Sequence, residues 1–206
     1  MAYFPFYVEL KDVSVLIVGG GKVALHKVLD YGPKIKVVAK KVDERIKNIK
    51  GVEWEEREFE DSDVEGVRFV IAAAGDEELD EHITSLCNDK GILINVVDVK
   101  DKCDFIFPSV VSRGKLEIGI SSSGASPRIT TLLAGEIDNI LPDNIEEILD
   151  YLEKLRPYAK QKISNDVLRA RFLSYMAELT YSRRNIPDDE ELEKILNKFL
   201  NPIETI

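Results

Sequence analysis

Cysteine is scarce in this 206-residue chain, with Cys87 and Cys103 the only two. Their spacing makes neither a disulfide framework nor a zinc-ligand pattern, and it fits a reducing compartment. Only two histidines occur, His26 and His82, and each reads as a surface or hydrogen-bonded helical residue, so no fixed metal site is expected. No apolar run exceeds six residues, whereas a membrane helix needs about 20. The N-terminus lacks a basic region ahead of an apolar stretch, so no signal peptide is expected. A soluble protein of the cytoplasm, without a membrane partner, is the expectation. Positive charge is also in deficit, with 28 Lys and Arg against 38 Asp and Glu. That balance argues against general nucleic-acid binding, which depends on neutralising phosphates. The deficit is uneven, because from Lys154 to Arg184 eight basic residues face only Asp166 and Glu178. Such an island is either a solvated helix face or a landing surface for a substrate with several carboxylates.

What is present is an ordinary globular composition, 44% hydrophobic and 32% charged, enough for one good core and a smaller appendage. Val13 to Val18 reads as a buried parallel strand, and Gly19-Gly20-Gly21 ends it. Residues 22–31 suit a short helix that Gly32-Pro33 would stop, after a Lys11-Asp12 turn upstream of the first strand. Further strands are expected at 35–39, 52–59, 67–73 and 91–97, with a helix over 77–89. This alternation predicts an α/β fold with a Rossmann-type, right-handed, mostly parallel sheet. After Pro108 the pattern changes to two strands around Arg113-Gly114, then a helix from Ser126-Pro127 towards Ile140. From Asn144 onward it is helical, with a break near Asn185-Ile186-Pro187. The expected plan is therefore an α/β domain over 1–108, a short βα segment over 109–142 and a helical region over 143–206.

Gly19-x-Gly21-x-x-Ala24 follows the first strand and opens the first helix, the setting a dinucleotide fingerprint requires. Gly19 allows the tight turn, Gly21 lets the backbone approach a pyrophosphate, and Ala24 lets helix and strand pack closely. Lys22 and Val23 lie at the helix N-terminus, whose amides and positive pole favour phosphate. The second strand ends in Lys40 and Lys41, where an acid commonly binds the ribose of NAD. The lysines fit either a 2′-phosphate or contacts to ribose and adenosine phosphate, and Asp43 lies further along. Ala73 and Ala74 end the fourth strand; Asn95 and Val97 lie in the fifth, just before Asp98. All should line the carboxyl edge where open α/β sheets bind ligands. Asp98 is placed either to accept a proton as hydride leaves for a nicotinamide or simply to form a turn, with Asp101 and Asp104 as rivals.

The ordered set Phe4-Pro5-Phe6, Val18-Gly19-Gly20-Gly21-Lys22-Val23-Ala24, Val70-Ile71-Ala72-Ala73 and Asn95-Val96-Val97-Asp98 resembles precorrin-2 dehydrogenases and the front half of fused siroheme synthases. Cys103-Asp104-Phe105-Ile106-Phe107-Pro108, Arg113-Gly114 and Ser121-Ser122-Ser123-Gly124-Ala125-Ser126-Pro127 continue the match, which covers about residues 1–142. The resemblance implies an NAD-dependent oxidation of precorrin-2 to sirohydrochlorin, with the catalytic aspartate on Asp98 and cofactor contacts on 21–23 and on Lys40-Lys41. It also implies a homodimer formed through 109–142. Some members additionally insert ferrous iron, an activity left open here. The methyltransferase half of the fused proteins is expected to be absent after Ile206. Precorrin-2 carries eight carboxylates, for which Arg113, Lys115, Arg128 and the basic island form a candidate rim. The loop Ser122, Ser123, Gly124 either binds an anionic side arm or only caps a helix. Two other readings compete. One is a non-catalytic dinucleotide-sensing module, against which Lys40-Lys41 counts; the other is a dehydrogenase of a different acidic substrate. No basic recognition helix for DNA is apparent.

Overall fold

A computed structural model describes residues 3–11, 13–31 and 34–201. Gly32-Pro33, the expected helix stop, and Asp12 of the expected turn lie outside the described residues. The chain divides into two compact units, Met1–Phe107 and Pro108–Ile206.

In the first unit, strands β1 (Val15–Val18), β2 (Ile35–Ala39), β3 (Val52–Glu56), β4 (Phe69–Ala72) and β5 (Leu93–Val96) form one sheet in the order β3-β2-β1-β4-β5. All four pairings are parallel. Helices α1 (Lys22–Tyr31), α2 (Glu44–Lys47) and α3 (Glu77–Lys90) connect them. β1 lies in the middle and is buried at every position, which is why its apolar run is unbroken rather than alternating. Val15 and Ile17 join one core with Ala24, Leu25 and Val28 of α1. Leu16 and Val18 join the other with Ile83 and Cys87 of α3. β3 is shorter than expected and mostly exposed. Its glutamates and Trp54 blunt a sheet edge against further pairing. Asp76 caps α3 by accepting from the Leu79 N–H at 3.2 Å, and Gly91 (φ 66°) ends it.

In the second unit, β6 (Ser109–Arg113) and β7 (Leu116–Ile120) form an antiparallel hairpin against which α4 (Pro127–Ile140) packs. The Ser109 and Thr130 hydroxyls meet at 2.8 Å and tie α4 to β6. The helical remainder is α5 (Ile145–Lys162), α6 (Asp166–Arg183) and α7 (Asp189–Leu200) around Leu155, Ala159, Phe172, Met176 and Leu196. One break was not expected. Asn165 accepts from the Leu168 N–H at 3.0 Å and starts α6 after Ile163 ends α5. A side-chain cap of this kind interrupts a helical pattern without any glycine or proline.

One polar group in the first core is out of balance. Asp80 is 7% exposed, and its Oδ1 has no hydrogen-bond partner among the described residues. Burial, aided by the nearby Asp76 charge and opposed by Lys102, raises its carboxyl pKa. Asp80→Asn should therefore stabilise the protein at pH 7 by on the order of 1 kcal/mol, read as a higher urea midpoint at unchanged slope. The folded-state pKa is the raised one, so the wild-type penalty exists where the carboxylate is charged. The gain should shrink as pH falls through that pKa towards the ordinary carboxylate range. A variant no more stable than wild type at pH 7 would show that the buried oxygen is already satisfied.

Candidate dinucleotide-binding site

The end of β1 is held between its two neighbours. Gly19 donates its N–H to Val38 O at 2.9 Å, and the Ala73 N–H donates to Val18 O at 2.7 Å. Gly19 has φ +125°, and a Cβ built there would lie 2.4 Å from Ala73 O and 2.9 Å from Ala74 N. A Cβ on Gly20 would lie 2.2 Å from Lys41 O, and Gly20 O accepts from the Asp43 N–H at 2.9 Å. Two glycines are thus demanded by the protein's own backbone packing. Sequence reasoning treated Gly20 as a free position; the run of three glycines was the available signal. Gly21 differs, because a Cβ there would meet nothing within 4 Å, and the residue is exposed. The backbone is bare where only open space adjoins it.

That space lies at the N-terminus of α1. Leu25 N–H closes the first helical bond to Gly21 O at 3.0 Å, so the preceding amides have no partner within the helix. No acidic side chain occupies this first turn. Lys22 and Val23 are exposed there, while Ala24 is fully buried against the sheet. Bare amides, a positive helix pole and an uncovered glycine suit the pyrophosphate of a dinucleotide. The residues present therefore fit such a cofactor.

At the end of β2, Lys40 is exposed and pairs with Glu58 at 3.1 Å, and Lys41 is exposed beside it. Asp43 is engaged elsewhere. Its carboxylate caps α2 through Arg45 N at 2.9 Å and forks the Arg45 guanidinium at 3.0 and 2.7 Å. Arg45 holds it well below the usual carboxylate range. At β4, Ala73 and Ala74 contribute backbone against Gly19 rather than side-chain bulk.

At β5 the expected residues separate into different tasks. Asn95 is buried, and its Nδ2 donates to Phe105 O at 2.8 Å, so its amide holds the following segment in place. Val97 N–H donates to Ala72 O at 3.0 Å and extends the β4 ladder. Val99 N–H donates to Val96 O at 3.2 Å, closing a tight turn around Val97 and Asp98. Asp98 has φ +63°, a left-handed conformation that aspartate tolerates better than most residues. It is exposed and makes no side-chain hydrogen bond or ion pair among the described residues. The rivals are placed differently. Asp104 Oδ2 accepts from the Ile94 N–H at 2.9 Å, and its own N–H donates to Ile94 O at 2.9 Å. Asp101 sits beyond the strand end in the 3-10 turn Lys100–Lys102.

In the second unit, Ser122 Oγ accepts from the Ser126 N–H at 2.9 Å and Ser121 Oγ from the Ser123 N–H at 3.0 Å. These hydroxyls shape the loop, with Ser123 (φ 53°) and Gly124 (φ 84°) left-handed, ahead of the Ser126 cap on α4. Arg113 forks Asp138 at 2.8 and 2.8 Å, and Lys115 bridges Asp150 at 2.6 Å and Glu153 at 2.5 Å. Both cations are therefore neutralised in place. Arg128, Arg156, Lys160, Arg171 and Arg184 make no ion pair among the described residues. His26 is exposed on α1, and His82 Nε2 lies 2.6 Å from Asp61 Oδ1. Among the described residues no three His, Cys, Asp or Glu side chains gather as a metal-binding group.

Residues 6–109 match the family model described as "Putative NAD(P)-binding". The chain belongs to this NAD(P)-binding family. The family match spans the five-stranded unit and ends as β6 begins. The chain is also 34% identical over 98% of its length to a siroheme synthase of Thioalkalivibrio sulfidiphilus, covering 43% of that protein. It is 33% identical over 84% of its length to a siroheme synthase of Buchnera aphidicola, covering 38% of that one. It thus spans less than half the length of these relatives. Among solved structures it is similar to SirC, a precorrin-2 dehydrogenase, with TM-score 0.75 and 22% identity over 96% of this chain and 99% of the other. The fold is shared. The motif-based resemblance to siroheme synthases is met by these relatives.

The glycine geometry separates folding from binding. Gly19→Ala places a methyl on the Ala73 carbonyl and should cost about 2–4 kcal/mol of stability or prevent folding. Gly21→Ala meets no protein atom, so its melting temperature should stay within about 2 °C of wild type while NAD binding weakens about tenfold or more. Calorimetry and NAD titration together check this. Equal NAD affinity in Gly21→Ala would remove the pyrophosphate from this loop.

Proposed function

We propose that this protein oxidises precorrin-2 to sirohydrochlorin with NAD as hydride acceptor, using Asp98 as the base. The observation carrying the proposal is an unpaired carboxylate in a constrained turn at the same sheet edge as the uncovered Gly21 amides. The bound nicotinamide supplies hydride acceptance. Asp98 would take the proton released from the substrate as hydride leaves, so one hydride and one proton are removed per double bond formed. Gly19, Gly21, Lys22, Val23 and Ala24 form the pyrophosphate turn. Ala73, Ala74, Asn95 and Val97 support the nicotinamide half from the strand ends. Lys40 and Lys41 take the ribose and adenosine phosphate of NAD. Within the second unit taken by itself, Arg128 and the tail cations without an ion pair among the described residues are the groups that suit a substrate with eight carboxylates. Ser122, Ser123 and Gly124 present a loop to one side arm, and Arg113 becomes available only if a substrate carboxylate displaces Asp138.

We further propose a homodimer. α4 presents Ile129, Leu132, Leu133 and Ile140 outward at 41–68% exposure, beside Val110 at 55%. An apolar face of this size on one helix suits a second copy of the same surface. No helix of the described residues is long and apolar enough to cross a membrane. With free thiols at Cys87 and Cys103, a reducing cytoplasm is the proposed location.

Asp98→Asn should bind NAD within about threefold of wild type yet lose turnover of precorrin-2 by about 100-fold or more. Anaerobic assay of NADH and product absorbance checks this, and undiminished turnover would place the base elsewhere. Wild type that binds NAD but makes no product would favour a sensor. In sedimentation analysis the double variant Leu132→Asp/Leu133→Asp should be monomeric where wild type is dimeric. A monomeric wild type at micromolar concentration would remove the dimer.

A further inference from the structure

The turn carrying Asp98 is fastened from beneath by a group that the reading above leaves without a task. Cys103 Sγ lies 3.2 Å from Val96 O and 3.2 Å from Val99 O, the carbonyls flanking the Val97-Asp98 tip. Asn95 Nδ2 lies 3.5 Å from the same sulfur while donating to Phe105 O. The thiol thus donates towards the turn and accepts from the buried strand. Around it, Lys102 N–H donates to Val99 O at 3.1 Å, Cys103 N–H to Lys100 O at 3.2 Å and Asp104 N–H to Ile94 O at 2.9 Å. The returning segment is thereby stitched to both β5 and the turn. Asp98 itself is exposed and sits in the left-handed conformation at the tip of this turn.

We infer that Cys103 is a positioning residue for Asp98, its thiol bridging the two carbonyls that set the turn's geometry and thereby the direction of the carboxylate. This rests on the assignment of Asp98 as the base. Burial raises the Cys103 pKa, so at neutral pH the sulfur keeps the proton it donates. A single S–H bond is weak, but here it acts on two acceptors at the ends of a four-residue turn. A small misplacement of a catalytic group is expensive in rate.

The test compares Cys103→Ala and Cys103→Ser in the full chain, reading Val99 amide exchange, kcat and KM separately. In Cys103→Ala, Val99 exchange should accelerate and kcat should fall about tenfold, with both KM values within about threefold of wild type. Cys103→Ser restores a donor and should recover most of the lost kcat. Should Cys103→Ala not fold, Cys103→Val keeps the bulk without the donor and takes its place. Unchanged kcat, unchanged exchange, or a serine variant no better than alanine would each overturn the inference. If exchange responds as expected but wild type itself fails to oxidise precorrin-2, the clamp stands and the reaction assignment falls.

Discussion

The contact between Gly19 and the Ala73-Ala74 backbone governs the first unit. β1 lies between β2 and β4, and its continuation must leave the sheet through the gap between them. A Cβ on Gly19 would lie 2.4 Å from Ala73 O, and one on the next residue, Gly20, 2.2 Å from Lys41 O, so only bare backbone passes. The chain emerges directly into the exposed first turn of α1, whose leading amides have no partner within the helix. The uncovered helix N-terminus at this switch point follows from the packing of three strand ends and needs no dedicated binding loop.

The same edge explains how the carboxylates are sorted. Asp43, Asp76 and Asp104 are each committed to a backbone amide, as caps of α2 and α3 and as a partner of Ile94. Asp98 is not. It occupies the tip of a turn closed by the Val99 N–H on Val96 O and tied to β4 by the Val97 N–H on Ala72 O, and its own carboxylate oxygens are left to whatever enters from solvent. Its left-handed backbone is one that aspartate adopts more readily than most residues.

Charge in the second unit is sorted in a similar way. Arg113 and Lys115 lie in and beside the β6–β7 hairpin and are neutralised by acids of α4 and α5. Exposed pairs of this kind contribute little to stability, commonly under about 1 kcal/mol, yet they remove those cations from the free surface field. Within the basic island Lys162, Arg169 and Arg183 are paired with Glu193, Asp166 and Glu191, so its uncommitted positive charge is narrower than its count of cations suggests.

By itself the sequence determined the parallel α/β plan, the glycine turn after β1 and the strand end carrying Asp98. Each is written in local terms: a β-branched apolar run, glycines at a fixed interval, an acid directly after a buried strand. The α5–α6 break escaped because Asn165 acts through one side-chain bond that periodicity does not register. Only the tertiary structure decided which glycine is left uncovered, which of several aspartates is free, and that Arg113 has a partner 25 residues away. The physical reason is the same in each case. Availability of a group is settled by what packs or bonds against it from distant parts of the chain, and neighbouring residues in sequence carry no record of those contacts.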